Sequence, residues 1–191
     1  MERWVVAAKR ADFAAIGNEF GIDPVIARLI RNRDVQDREE IRRYLHGTVE
    51  ELASPHLMKD VDKAVEILRN KIKEKKRIRI IGDYDIDGVV STFILIKGLK
   101  RVGALADTYI PDRVADGYGI HEHLIERAVN DGIDIIVTCD NGIAAYNEIA
   151  MAKEKGMTVI ITDHHEIPYK ETESGRELIL PSADAIVCRN S

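Results

Sequence analysis

Residues 77–103 read RIRIIGDYDIDGVVSTFILIKGLKRVG. RIRIIGD (77–83) is the short β-branched apolar run of a buried strand. VVSTFILIKGLKRVG (89–103) has the length and apolarity of a largely buried helix. Between them Asp83, Asp85 and Asp87 alternate and Gly88 follows at once. Clustered carboxylates repel one another, so this turn calls for a compensating charge, most simply a metal ion.

The strand, polar turn, helix unit recurs along the chain. LADTYIP (105–111) reads as a strand, HEHLIERAVNDG (121–132) as a helix and DIIVTCD (134–140) as a strand. AAYNEIAMAKEKG (144–156) is a helix, MTVIITD (157–163) a strand, and ADAIVC a last short strand. Strands separated by helices of this length imply a parallel sheet with helices on both faces, a three-layer α/β domain, here placed at 59–191. A small helical segment, 1–58, precedes it. There Asp23-Pro24 is a cap followed by a favoured first helical residue, VIARLIRNR continues the helix, and DREEIRRYLHG forms another with Gly47 as its C-cap. From Asp60 the helix DVDKAVEILRNKIKEKK puts Val61, Ala64, Val65, Leu68 and Ile72 on one stripe.

Composition bounds the function. Hydrophobic residues at 45% and charged residues at 32% of the 191 are those of a globular protein, and the length allows a substantial core. No run of about 18 apolar residues exists, so no membrane association is expected. MERWVVAAKRADF lacks the apolar stretch and cleavage site of a secretory leader. Two cysteines, Cys139 and Cys188, make no disulfide framework, so a reducing cytoplasm is expected. The net charge of -5 and the pI near 5.7 argue against a wholly basic nucleic-acid binder, but leave room for a local basic groove.

Each strand ends in a polar cluster: Asp83 to Gly88, Pro111-Asp112-Arg113, Asp140-Asn141-Gly142 and Asp163-His164-His165. In an open parallel sheet the carboxyl ends of the strands share one edge, where ligands bind. A calcium loop of EF-hand type fits the first six positions of DYDIDG, but its twelfth position needs a bidentate Glu and here is Ile94. No dinucleotide fingerprint or P-loop occurs either. What remains is a hard-cation site. Asp85 and Asp87 point the same way if strand geometry persists, Asp140 arrives from a neighbouring strand, and His164 or His165 from another. Such donors suit Mn²⁺ or Mg²⁺, and two ions about 3.5–4 Å apart activate water for phosphoryl displacement. Gly88 leaves room for close approach, and a helix beginning near Val89 would aim its first amides, with Ser91 and Thr92, at an anion.

The set DYDIDG, PDRVADGYG, DNG and DHH, in this order and spacing, resembles the DHH phosphoesterases. The likeness covers nearly the whole chain and is greatest to the RecJ branch, the single-strand-specific 5′→3′ DNA exonucleases. No motif decides alone; the four together are specific. The resemblance implies that Asp85 and Asp87 bind one metal each, that Asp140 bridges the two, and that His164 completes one sphere. It implies phosphate contact for His165 and Arg113, with Asp83 as a supplementary ligand. Two Mn²⁺ or Mg²⁺ ions, single-stranded DNA as partner and a monomer are the corresponding expectations. Departures exist. Ile81 stands where many members carry a histidine. The family's last metal-binding Asp and its DHH-associated domain lie beyond residue 191, and CRNS replaces the usual Asn-Pro continuation. The chain therefore reads as a truncated product. A small-molecule phosphohydrolase acting on pyrophosphate, oligonucleotides or cyclic dinucleotides is the alternative, and an inactive fragment is another.

Other candidates have plainer readings beside the functional ones. Arg113 could pair with Asp112 or Asp116 on the surface. His121 and His123 at a helix start are expected to face solvent, Tyr118 could stack on a base or pack its loop, and Cys139 belongs in the core. RNKIKEKKRIR (69–79) carries seven Lys/Arg in eleven residues, read as a solvated face before a nucleic-acid groove.

Overall fold

The computed structural model describes Val5, residues 9–172 and residues 175–188. Most of the leader reading, and Arg189 to Ser191 of CRNS, lie outside the described residues. The chain divides into two compact units, Met1–Ser54 and Pro55–Ser191, whereas the sequence reading divided it after residue 58.

The first unit carries three short helices, α1 (Phe13–Phe20), α2 (Pro24–Asn32) and α3 (Arg38–His46). Their starts are written in the sequence. The Asp23 carboxylate accepts from the Val25 amide with Pro24 at the first helical position, and Asp37 and Glu40 form a reciprocal capping box on α3. Ala27, Ile30 and Ile41 are buried between them.

The second unit begins with α4 (Val61–Lys73) and continues β1 (Arg77–Ile81), α5 (Ile86–Arg101), β2 (Leu105–Tyr109), α6 (Glu122–Asn130), β3 (Ile135–Cys139), α7 (Tyr146–Glu154) and β4 (Thr158–Asp163). An antiparallel hairpin, β5 (Tyr169–Thr172) and β6 (Gly175–Leu178), precedes β7 (Ala185–Cys188). The main sheet is five-stranded and parallel, in the order β2-β1-β3-β4-β7. The expected three-layer α/β architecture is therefore present. One face is covered by α6 and α7 over Ile81, Ile136, Val159 and Ile161. The other is covered by α4 and α5 over Ile78, Ile80, Val137 and Ile160. Because both faces are buried, β3 is apolar without alternation and every one of its residues is buried. The chain leaves β1 for β2 on one side and returns to β3 on the other. The crevice at the carboxyl ends of β1 and β3 is thus a topological switch point, where doubly wound folds bind ligands.

The hairpin was not announced by apolar periodicity, since all of its described residues are exposed. The basic stretch 69–79 is not a continuous free surface. Arg79 lies 8% exposed in β1 and is bonded to Asp107 and Asp131, while Lys76 pairs with Asp134 and Lys71 with Glu74. Among the described residues no helix is long and apolar enough to cross a membrane.

Candidate metal centre

Strand β1 ends at Ile81, and Gly82-Asp83 leads straight into α5. Asp85 is the N-cap of α5, its carboxylate accepting from the Gly88 amide at 3.1 Å, and Asp87 sits in the first turn. The convergence of Asp85 and Asp87 therefore comes from a helix start and not from persisting strand geometry, which corrects the sequence reading. The helix also begins at Ile86, ahead of Val89. Its first turn can come this close because Gly88 has no side chain: a Cβ there would lie 2.6 Å from the Asp83 carbonyl oxygen and 2.7 Å from Asp83 Cβ. Gly82 is equally confined, its missing Cβ falling on Thr92 Oγ1, and Thr92 is buried against the same turn.

Asp140 follows β3 with a left-handed backbone, φ 62°, and its amide donates to the Thr162 carbonyl of β4 at 3.0 Å. Asp and Asn tolerate that conformation better than most side chains, and non-glycine examples cluster at functional sites. Gly142 follows at φ 103°, where a Cβ would press on Thr138.

Asp163 ends β4 and organises the histidines. Its Oδ1 accepts from the amides of His164 and His165 and, at 2.7 Å, from Nδ1 of the His165 ring, while its Oδ2 accepts from the buried Ile143 amide. The bond to Asp163 commits the proton of His165 to Nδ1 and leaves Nε2 facing outward, 3.2 Å from the Tyr118 hydroxyl. The Asp163 bond also pushes the His165 pKa up against the effect of burial.

These pieces meet. Ligand atoms of Asp83, Asp85 and Asp140 lie within 4.8 Å of one another, and so do those of Asp140, His164 and His165. His164 Nε2 is 2.8 Å from Asp140 Oδ1 and 3.6 Å from Asp87 Oδ2. Asp83, Asp85, Asp87 and His164, the other expected ligands, thus all gather around Asp140 or its histidine partner, and Asp87, Asp140 and His164 line one acidic cavity. The electrostatics are unbalanced. Both carboxylate oxygens of Asp140 and Oδ2 of Asp83 are buried without an aligned hydrogen-bond donor. Burial first, then the Asp87 and Asp85 charges, pushes the Asp140 carboxyl up. Burial does the same to Asp83, whereas the Gly88 amide holds Asp85 down. Buried carboxylate oxygens short of donors, in an oxygen-rich set with one imidazole, fit a hard divalent cation.

The proposed phosphate contacts lie around this cluster. Arg113 is exposed, and among the described residues it forms no ion pair; its guanidinium lies over the Tyr84 ring, 5.4 Å from the centroid. Pairing with Asp112 or Asp116 does not occur because those carboxylates are used locally. Asp112 accepts from the Val114 and Ala115 amides, and Asp116 accepts from the Asp112 amide and faces His123. Tyr84 in turn meets Tyr118 edge-on, and Tyr118 meets His165. Ser91 lines the acidic cavity of about 410 Å³, but its hydroxyl donates to the Asp87 carbonyl at 2.5 Å and accepts from Cys139 Sγ. An anion there would have to displace an existing bond. Cys139 is a core residue, as expected, with burial raising its pKa. His121 is a correction: at the N-cap position of α6, where its side chain makes no capping bond, its Nε2 is buried without a hydrogen-bond partner instead of facing solvent. Sequence reasoning missed the positioning role of Asp163. Its signal was a carboxylate ending a strand that is otherwise apolar.

Residues 77–188 match the sequence profile of the DHH family, N-terminal domain. The chain belongs to the DHH family. Among curated DHH relatives, the single-stranded-DNA-specific exonuclease RecJ of Bacillus subtilis is 36% identical over 94% of this chain and 23% of its own length. RecJ of Haemophilus influenzae is 35% identical over 92% of this chain and 28% of its own. The chain thus spans about a quarter of the length of these relatives. A crystal structure of exonuclease RecJ bound to manganese superposes with TM-score 0.62 at 32% identity, covering 72% of this chain and 33% of that one. RecJ from Thermus thermophilus in complex with Mn²⁺ superposes with TM-score 0.60 at 26% identity, covering 92% of this chain and 23% of that one.

Proposed function

We propose that this DHH domain carries the metal-binding heart of a phosphodiesterase, a RecJ-like 5′→3′ exonuclease acting on single-stranded DNA. The observation that carries the reading is the buried Asp140 carboxylate, neither oxygen of which has an aligned hydrogen-bond donor, at the meeting point of Asp85, Asp87 and His164. A pair of Mn²⁺ or Mg²⁺ ions would supply Lewis-acid activation of water and of a phosphoryl oxygen. Asp85, Asp87, Asp140 and His164 would hold them, with Asp83 as a supplementary ligand. The cluster's own negative charge repels a phosphodiester, so neutralisation by the bound cations is a condition for substrate entry. His165, its Nδ1 donating to Asp163, would in the imidazolium form that this bond favours offer an Nε2–H to an incoming phosphate, and Arg113 adds an exposed positive charge. Gly88 lets the first turn of α5 close on Asp83, which seats Asp85 and Asp87 at the cluster.

The test compares substrates. With Mn²⁺, 5′-labelled single-stranded DNA should release mononucleotides, duplex of the same sequence should not, and Asp85→Ala should stop release. Faster turnover of pyrophosphate or a cyclic dinucleotide than of the long strand would replace the exonuclease reading with a small-molecule one. Release unaffected by Asp85→Ala would overturn both.

A further inference from the structure

Beyond the acidic cluster, a second cavity of about 380 Å³ opens on the other side of Asp163 and His165; Asp163 lines both. Its polar lining is Tyr118, His121, Asn141, Glu148, His165 and Glu166. Asn141 is 2% exposed, and neither atom of its side-chain amide has a hydrogen-bond partner. His121 Nε2 is a second buried nitrogen without a partner. An amide held in an interior with donor and acceptor both unmet is costly, and native proteins keep such groups for a ligand or ordered water.

We propose that this cavity receives one unpaired nucleobase of the substrate strand, an inference that rests on the nucleic-acid reading above. The chemistry of the lining selects among ligands. An Asn side chain offers a donor and an acceptor side by side, the pair that reads the edge of a base. Two carboxylates, Glu148 and Glu166, disfavour a second phosphate and accept from exocyclic amino groups. The half-exposed Tyr118 ring gives a stacking surface, and Ile120, Ile143 and Ala145 complete an apolar wall. The volume lies in the range that holds a nucleoside-sized ligand. The shared wall sets the register. A nucleotide with its phosphate at the acidic cluster has its base on the far side of His165. A base paired and stacked in a duplex cannot enter, so this cavity would favour single strands by geometry instead of by sequence.

The test uses the 191-residue chain with chelator present and uncharged deoxynucleosides as probes, followed by amide NMR. Saturable shifts at the Asn141 side-chain amide and at Gly119 and Gly142 are expected. Ala144→Trp, which fills the exposed mouth without removing a polar group, should weaken binding at least tenfold. Glu148→Gln, conservative enough to keep the fold, should weaken deoxycytidine while leaving thymidine unchanged. Inorganic phosphate and deoxyribose 5-phosphate should not displace the nucleoside. No saturable shift, equal binding by both variants, or displacement by phosphate would overturn the proposal. Absent nucleoside binding with intact Mn²⁺ binding sinks this cavity alone; nucleoside binding without Mn²⁺ binding sinks the phosphodiesterase reading alone.

Discussion

His164 Nε2 stands 2.8 Å from Asp140 Oδ1, joining the end of β4 to the end of β3 across the mouth of the sheet. The imidazole is largely in solvent, whereas the carboxylate is buried and has no aligned donor on either oxygen. Asp140 therefore pays for its position in the free protein, and a bound cation is what would offset that cost.

Asp140→Asn keeps a side chain that tolerates the left-handed backbone and removes the buried charge. With chelator present, the variant should melt at or above the parent temperature and lose the stabilisation that Mn²⁺ gives the parent. Asp140→Ala should also lose it and unfold more easily, because alanine bears the strain at φ 62°. Thermal denaturation with and without Mn²⁺ checks both.

Two glycines of α5 should respond oppositely to alanine. At Gly88 the new methyl meets Asp83 backbone and Cβ at 2.6–2.8 Å, so the first turn must shift, at a cost of about 1–3 kcal/mol, and Mn²⁺ affinity should fall. At Gly98 the methyl meets nothing within 4 Å on an exposed helix face, and Gly98→Ala should stabilise by up to about 1 kcal/mol. Urea unfolding of both variants gives the comparison.

Asp163 touches four nitrogens from two loops. Asp163→Ala strands the buried Ile143 amide, a loss of about 1–3 kcal/mol, and frees the His165 ring to exchange tautomers. Ring ¹⁵N spectra should show the Nδ1-protonated form in the parent and a mixture in the variant. A single tautomer in both would remove Asp163 from its positioning role.

A pH effect is expected far from the site. The Arg79 bond holds Asp131 below the usual carboxylate range. A depressed folded-state value stabilises above the unfolded pKa of about 3.9 and is lost as pH falls through the folded value. Asp131→Asn should therefore be less stable than the parent at about pH 7, with the gap closing toward about pH 3. Urea midpoints at the two pH values that differ by the same amount would contradict this.

The architecture was legible because buried parallel strands are uninterrupted apolar runs; RIRII, DIIVTC and MTVIIT each became a strand within two residues of its reading. The meeting of Asp85 and Asp140 with one of His164 and His165 was foreseeable from the same logic, since parallel strands deliver their carboxyl ends to one edge; the strand pattern alone did not separate the two histidines. Local detail was not. The start of α5 was placed at Val89, where the apolar face begins, but the Asp85 cap pulls it forward to Ile86. Pairing of Arg113 with its acidic neighbours was the plainer alternative to a phosphate contact, and it fails because Asp112 and Asp116 are occupied by loop amides. Hydrogen bonds made across loops, such as Asp163 to Ile143 or Tyr118 to His165, leave no periodic trace in sequence.

Calorimetric titration of the metal-free chain with Mn²⁺ is the most direct measurement of all. Saturable binding should appear in the parent, vanish in Asp85→Asn and Asp140→Asn, and weaken in His164→Ala, with all three variants folded. No saturable binding in the parent, or equal affinity in the folded Asp140→Asn variant, would show that these carboxylates do not hold a cation.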